Sequence, residues 1–173
     1  EDLKVVYVCF GSIAVLSKDQ KEAIQTALAK SRVHFIWSTK EAVNGNQEHG
    51  NERRLVIRGW APQVVILRHR AVGSFLTHCG WNSVVESVVA GVPTLAWPMT
   101  ADQYADATLL VDELKVAKKV CEGENTVPNS DLLSRVLAES VSGNGAEARR
   151  ALELKTTALD AVREGGSSDR DLR

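Results

Sequence analysis

The chain has 173 residues, 44% of them hydrophobic, enough to close one domain around a sizeable core. Its 21 Lys and Arg balance 22 Asp and Glu, and a net charge of -1 excludes the basic footprint that nucleic acid or an anionic membrane surface requires. Gly91, Pro93 and Pro98 break the longest apolar run well short of the roughly 18–20 residues that span a bilayer.

In chain order, Val5 to Phe10 is an apolar run without alternation, the mark of a parallel strand buried on both faces, and it closes in the small-residue turn Gly11-Ser12. Lys18 to Lys30 has helical periodicity, and Val33 to Trp37 is a second strand. Asn44 to Arg53 is polar, glycine-containing and aperiodic, a surface loop. Leu55 to Ile57, Val72 to Leu76, Pro93 to Ala96 and a weaker Lys115 to Val120 repeat the strand pattern. Pro62 to Arg68, Trp81 to Ala90 and Asp102 to Leu114 read as the helices between them, the first opening with proline in its first turn. Beyond Pro128 the pattern is purely helical. Asn129 or Ser130 caps a helix over Asp131 to Ser140, and a longer one runs from about Ala146 to Glu164, where Gly165-Gly166-Ser167-Ser168 ends it. Strands alternating with helices predict a doubly wound α/β domain, Rossmann-like and built on a parallel sheet, occupying residues 1–173.

Strand ends and helix starts on one edge of such a sheet converge in space, so the residues closing each apolar run are candidates for a single ligand. The turn Phe75-Leu76-Thr77-His78-Cys79-Gly80-Trp81-Asn82-Ser83 leads a strand into a helix whose N–H groups and dipole attract a diphosphate, with Asn82 and Ser83 adding side-chain donors. The competing reading is local: Ser83-Val84-Val85-Glu86 fits a capping box that merely ties off its own helix. Glu86, one turn further on, is placed to accept from both hydroxyls of a ribose. His78 closes a strand just before the turn, where one ring nitrogen can donate to phosphate, although strand-end histidines are often structural. Trp60 follows Gly59 and either stacks on a base or packs in the core. Asp102-Gln103 is an ordinary helix start or a pair that reads adjacent sugar hydroxyls. GxGxxG, P-loop, HExxH and GxSxG motifs are missing, against dinucleotide, NTPase, metalloprotease and hydrolase readings. The cysteines Cys9, Cys79 and Cys121 are odd in number and lack CxxC spacing, so no disulfide framework or zinc site is expected.

Trp60-Ala61-Pro62-Gln63, His78-Cys79-Gly80-Trp81-Asn82-Ser83 with Glu86-Ser87, Gly91-Val92-Pro93 and Trp97-Pro98 with Asp102-Gln103 together match the fixed positions of the plant secondary product glycosyltransferase signature. The chain therefore resembles the C-terminal donor-binding domain of a plant family 1 UDP-glycosyltransferase of GT-B fold, across essentially its whole length. The resemblance implies that Trp60 stacks on uracil, with the Ala61 backbone at its edge and Gln63 near the ribose. It implies diphosphate contacts from His78, Asn82, Ser83 and Ser12, a ribose contact from Glu86, and hexose contacts from Trp81, Asp102 and Gln103. Gln103 points to UDP-glucose among UDP-sugars, for inverting, metal-independent transfer to a phenolic or flavonoid hydroxyl. No cofactor or metal is implied, and the cytoplasm is the implied compartment. A longer connection at Asn44 to Arg53 is also implied. The acceptor domain, with its His base and partner Asp, is expected outside these residues, so no residue here is expected to be catalytic and the chain alone is expected to bind without transferring.

Overall fold

Among the described residues six short segments, rich in β-branched and aromatic residues in β1 and β2, pair as parallel strands: β1 (Val5–Cys9), β2 (His34–Thr39), β3 (Arg54–Arg58), β4 (Val72–Thr77), β5 (Thr94–Ala96) and β6 (Ala117–Lys119). The computed structural model describes residues 3–40, 53–143 and 145–172; apart from Arg53, the loop expected from Asn44 lies outside them. The strand order is β3-β2-β1-β4-β5-β6. The chain builds outward from β1 to one edge, then returns to the other side of β1. This reversal opens a crevice beyond the carboxyl ends of β1 and β4, where doubly wound sheets hold ligands.

The helices are α1 (Lys18–Ser31), α2 (Gln63–Leu67), α3 (Trp81–Ala90), α4 (Gln103–Thr108), α5 (Ser130–Ser140), α6 (Ala146–Val162) and α7 (Ser167–Asp171). Strand alternation decides how they divide. Val6 and Val8 of β1 pack with Ile24, Ala27 and Leu28 of α1 and with Leu133 and Leu137 of α5. Tyr7, pointing the other way, packs with Leu67 of α2, Phe75 of β4, and Ala90 and Val92 at the end of α3, and its ring stacks on Phe75 at 5.0 Å between centroids. A third cluster joins Val84, Ala107 and Leu110 to Ala151 of α6. Both faces of the sheet are thus covered at its centre, which is why β1, β4 and β5 are buried along their length rather than in alternation, while the edge strands β3 and β6 keep exposed Arg and Lys.

Element ends move by one or two residues from the sequence expectation, as termini do. Three differences are larger in kind. The helix expected over Asp102 to Leu114 is α4 followed by a π-helical turn, Leu109–Glu113, in which Leu114 N–H donates to Leu109 O at 2.9 Å. Pro62 stands at the N-cap of α2 rather than in its first turn. The run Gly165-Gly166-Ser167-Ser168 does not simply end the chain's order, because Ser167 begins α7 and Asp169 Oδ2 accepts from Gly165 N–H at 3.0 Å. Asn129, not Ser130, caps α5, accepting from the N–H groups of Asp131 and Leu132. Among the described residues no helix is long and apolar enough to cross a membrane.

Candidate functional site

β4 ends at Thr77 and α3 begins at Trp81, so His78, Cys79 and Gly80 redirect the chain at the crevice. The left-handed residue of this turn is Cys79, at φ 64°, and not the glycine. Its side chain is fully buried in the α3, α4 and α6 cluster, and burial pushes the thiol up to about 12, so it serves as an uncharged core anchor. Gly80 has φ -64° and is needed for space: a Cβ there would lie 2.7 Å from His78 Nε2. A Cβ on Gly11 would lie 2.6 Å from Cε1 of the same ring. The imidazole is therefore seated between two bare Cα positions, one from each strand flanking the crevice. Burial pushes His78 below its ordinary value, against the opposing charge of Asp102, so the ring is neutral at pH 7.

Gly80, the N-cap of α3, supplies no side-chain acceptor, so the first-turn N–H groups of α3 lack the usual side-chain cap. This removes the capping-box reading: Ser83 is the third residue of α3 and Glu86 lies in its second turn. Both answer instead to Gln63. Its Nε2 donates to Glu86 Oε2 at 2.8 Å and to Ser83 Oγ at 3.2 Å, while its Oε1 accepts from the Tyr7 hydroxyl at 3.4 Å. A carboxylate only accepts, so the amide nitrogen must face Glu86, and that fixes which end of Gln63 faces Tyr7.

Around this network opens a cleft of about 850 Å³, within the range of small-molecule sites. Ser12, Trp60, Ala61, Gln63, His78, Trp81, Asn82, Ser83 and Glu86 all line it. The tryptophans separate cleanly: Trp37 and Trp97 are 2% and 0% exposed in the core, whereas Trp60 and Trp81 are 85% and 55% exposed on the cleft. The core alternative for Trp60 is thereby excluded. Asp102 and Gln103 do not line the cleft. Gln103 Oε1 accepts from Met99 and Thr100 N–H at 3.0 and 3.1 Å, so its acceptor side holds the preceding loop and only its amide N–H donors are left for a ligand. Asp102, exposed at the start of α4, reaches the site through its charge on His78.

Sequence reasoning missed Tyr7, which lines the same cleft from the middle of β1, and Ser38, Thr39 and Lys40, which line it from the end of β2. The convergence of strand ends at a switch point was the signal that points to them. Among the described residues no group of three or more His, Cys, Asp or Glu is placed to hold a metal ion.

The family model for UDP-glucoronosyl and UDP-glucosyl transferases matches residues 2–136. The chain belongs to that family. Over 99% of its length it is 60% identical to a flavonol 3-O-glucosyltransferase of Arabidopsis thaliana and 46% identical to a flavonol 7-O-rhamnosyltransferase of the same plant. It spans 38% and 43% of those two transferases. The crystal structure of Arabidopsis thaliana UGT89C1 complexed with UDP-L-rhamnose superposes with a TM-score of 0.93 at 50% identity, covering 99% of this chain and 42% of that one. The parallel sheet with its flanking helices is thus the GT-B type of fold seen in family 1 glycosyltransferases.

Proposed function

We propose that this chain is the UDP-sugar-binding part of a plant flavonoid glycosyltransferase, with UDP-glucose as donor. The observation that carries the reading is the Trp60 ring, 85% exposed on a cleft that the uncapped start of α3 also lines. An indole left bare on a folded surface is a platform for a flat ring, and uracil stacked there directs its ribose toward Glu86 and its diphosphate toward His78, Ser12 and the first turn of α3. Helix dipole, N–H groups and a neutral imidazole donor together stabilise negative charge without a metal ion, which is what departing UDP needs as an acceptor hydroxyl attacks the anomeric carbon. The acceptor and the general base are proposed to come from the share of the relatives' length that this chain does not cover. By itself the chain binds and does not transfer.

Glucose is proposed because the 60% identical relative is named a glucosyltransferase and because Gln103 stands at the last position of the signature. Titration calorimetry with uridine, UDP, UDP-glucose and UDP-rhamnose tests the reading. Trp60→Ala is expected to lower affinity for uridine and UDP alike by about 1–3 kcal/mol while leaving the melting temperature unchanged, since the ring packs against nothing in the core. A folded chain that binds neither uridine nor UDP removes the proposal, and equal affinity for the two UDP-sugars removes its glucose part.

A further inference from the structure

We infer that Thr77 is a positioning residue that fixes His78 in the neutral form protonated on Nε2, so that the ring presents a donor rather than a lone pair to the diphosphate. The inference rests on the reading of the cleft as a diphosphate site, and deepens it. Thr77 is the last residue of β4 and only 1% exposed. Its carbonyl is taken by Trp97 N–H at 2.9 Å, and among the described residues the hydrogen-bonding partner of its hydroxyl is His78 Nδ1, at 3.2 Å.

A hydroxyl carries one proton, and that proton needs an acceptor. Donated to Nδ1, it requires a lone pair there and so places the ring proton on Nε2. The opposite tautomer sets an N–H against the hydroxyl and strands the hydroxyl proton in a buried site, which disfavours it by roughly 5- to 150-fold. The doubly protonated ring meets the same obstacle, and burial acts in the same direction by holding His78 neutral. The Nε2 end lies against the bare Cα positions of Gly11 and Gly80, beside the start of α3. One buried hydroxyl outside the cleft lining thus decides whether the histidine inside it attracts or repels phosphate oxygen.

The test is nitrogen NMR of the histidine side chains in this chain without nucleotide, the His78 signals being assigned by their loss in His78→Gln, followed by titration with uridine and UDP. Wild type is expected to carry its proton on Nε2. Thr77→Val should bring His78 into exchange between tautomers and weaken UDP about three- to tenfold, while uridine, lacking phosphate, binds as before. Thr77→Ser, which keeps the hydroxyl, should restore both. Wild-type His78 protonated on Nδ1 overturns the proposal, and this measurement needs no variant at the buried position to fold. A tautomer unmoved in Thr77→Val, or unrescued by serine, overturns it as well. A tautomer that shifts while UDP affinity holds leaves Thr77 in control of the ring and overturns its link to the diphosphate.

Discussion

Glu86 is held from the side by Gln63 rather than by the helix it stands on, and this decides what its substitution does. The carboxylate in turn fixes the Gln63 amide with its oxygen toward Tyr7, whose pKa burial pushes well above its ordinary value, so the hydroxyl keeps its proton and donates. One oxygen of Glu86 takes the Gln63 N–H, leaving the other open to the cleft for hydroxyl donors. In Glu86→Gln the proposed charge-assisted contact to a ribose diol is replaced by a neutral one, and UDP affinity is expected to fall by about 1.5–3 kcal/mol with the melting temperature nearly unchanged. Calorimetry alongside thermal denaturation separates the roles: lost stability with retained affinity would make Glu86 part of the scaffold.

The start of α1 shows how an element is locked from outside the site. Ser17 and Gln20 form a reciprocal capping box, and the same Gln20 amide, 2% exposed, donates to the carbonyls of Glu124 at 2.7 Å and Thr126 at 2.9 Å. Gln20→Ala is expected to cost about 1–3 kcal/mol of stability in denaturant unfolding, through the lost cap and the two carbonyls left to find water. UDP affinity per folded molecule should not change. Legibility in the sequence follows the same division between local and distant partners. Trp81–Ala90 could be read to its ends because a glycine stands on each side of it, Gly91 in the left-handed conformation that closes a helix. The π turn at Leu109–Glu113 and the short α7 could not, since the first costs only one extra residue in an unbroken periodic pattern and the second follows two glycines that signal a stop. In the site, Trp60, His78 and the start of α3 were legible as strand ends and a helix start. The hold of Gln63 on Ser83 and Glu86, 20 and 23 residues away, was not, because nothing at that separation is encoded in spacing.

At the scale of the whole molecule, the cleft is open where Trp60 and Trp81 stay exposed, in a chain spanning 38% of its flavonol 3-O-glucosyltransferase relative. Stacking and phosphate contacts without closure over the sugar should give the chain alone a Kd for UDP on the order of 10 μM to 1 mM. Gln103 is the proposed contact to the hexose. Its Oε1 is committed to Met99 and Thr100, so Gln103→Ala would loosen the loop as well as remove the proposed sugar contact, and a loss of activity would not separate the two. Gln103→Glu does separate them, because a carboxylate still accepts from both backbone N–H groups but can no longer donate. In the full-length enzyme this change is expected to lower kcat/KM for UDP-glucose by about 1–3 kcal/mol of transition-state binding, the hexose losing its orientation at the anomeric carbon. Binding of UDP, which has no hexose to orient, should be affected far less. Steady-state kinetics with UDP as a competitive inhibitor reads both numbers in one experiment, and an equal loss in kcat/KM and in the UDP inhibition constant would assign Gln103 to the loop or the diphosphate instead of the sugar.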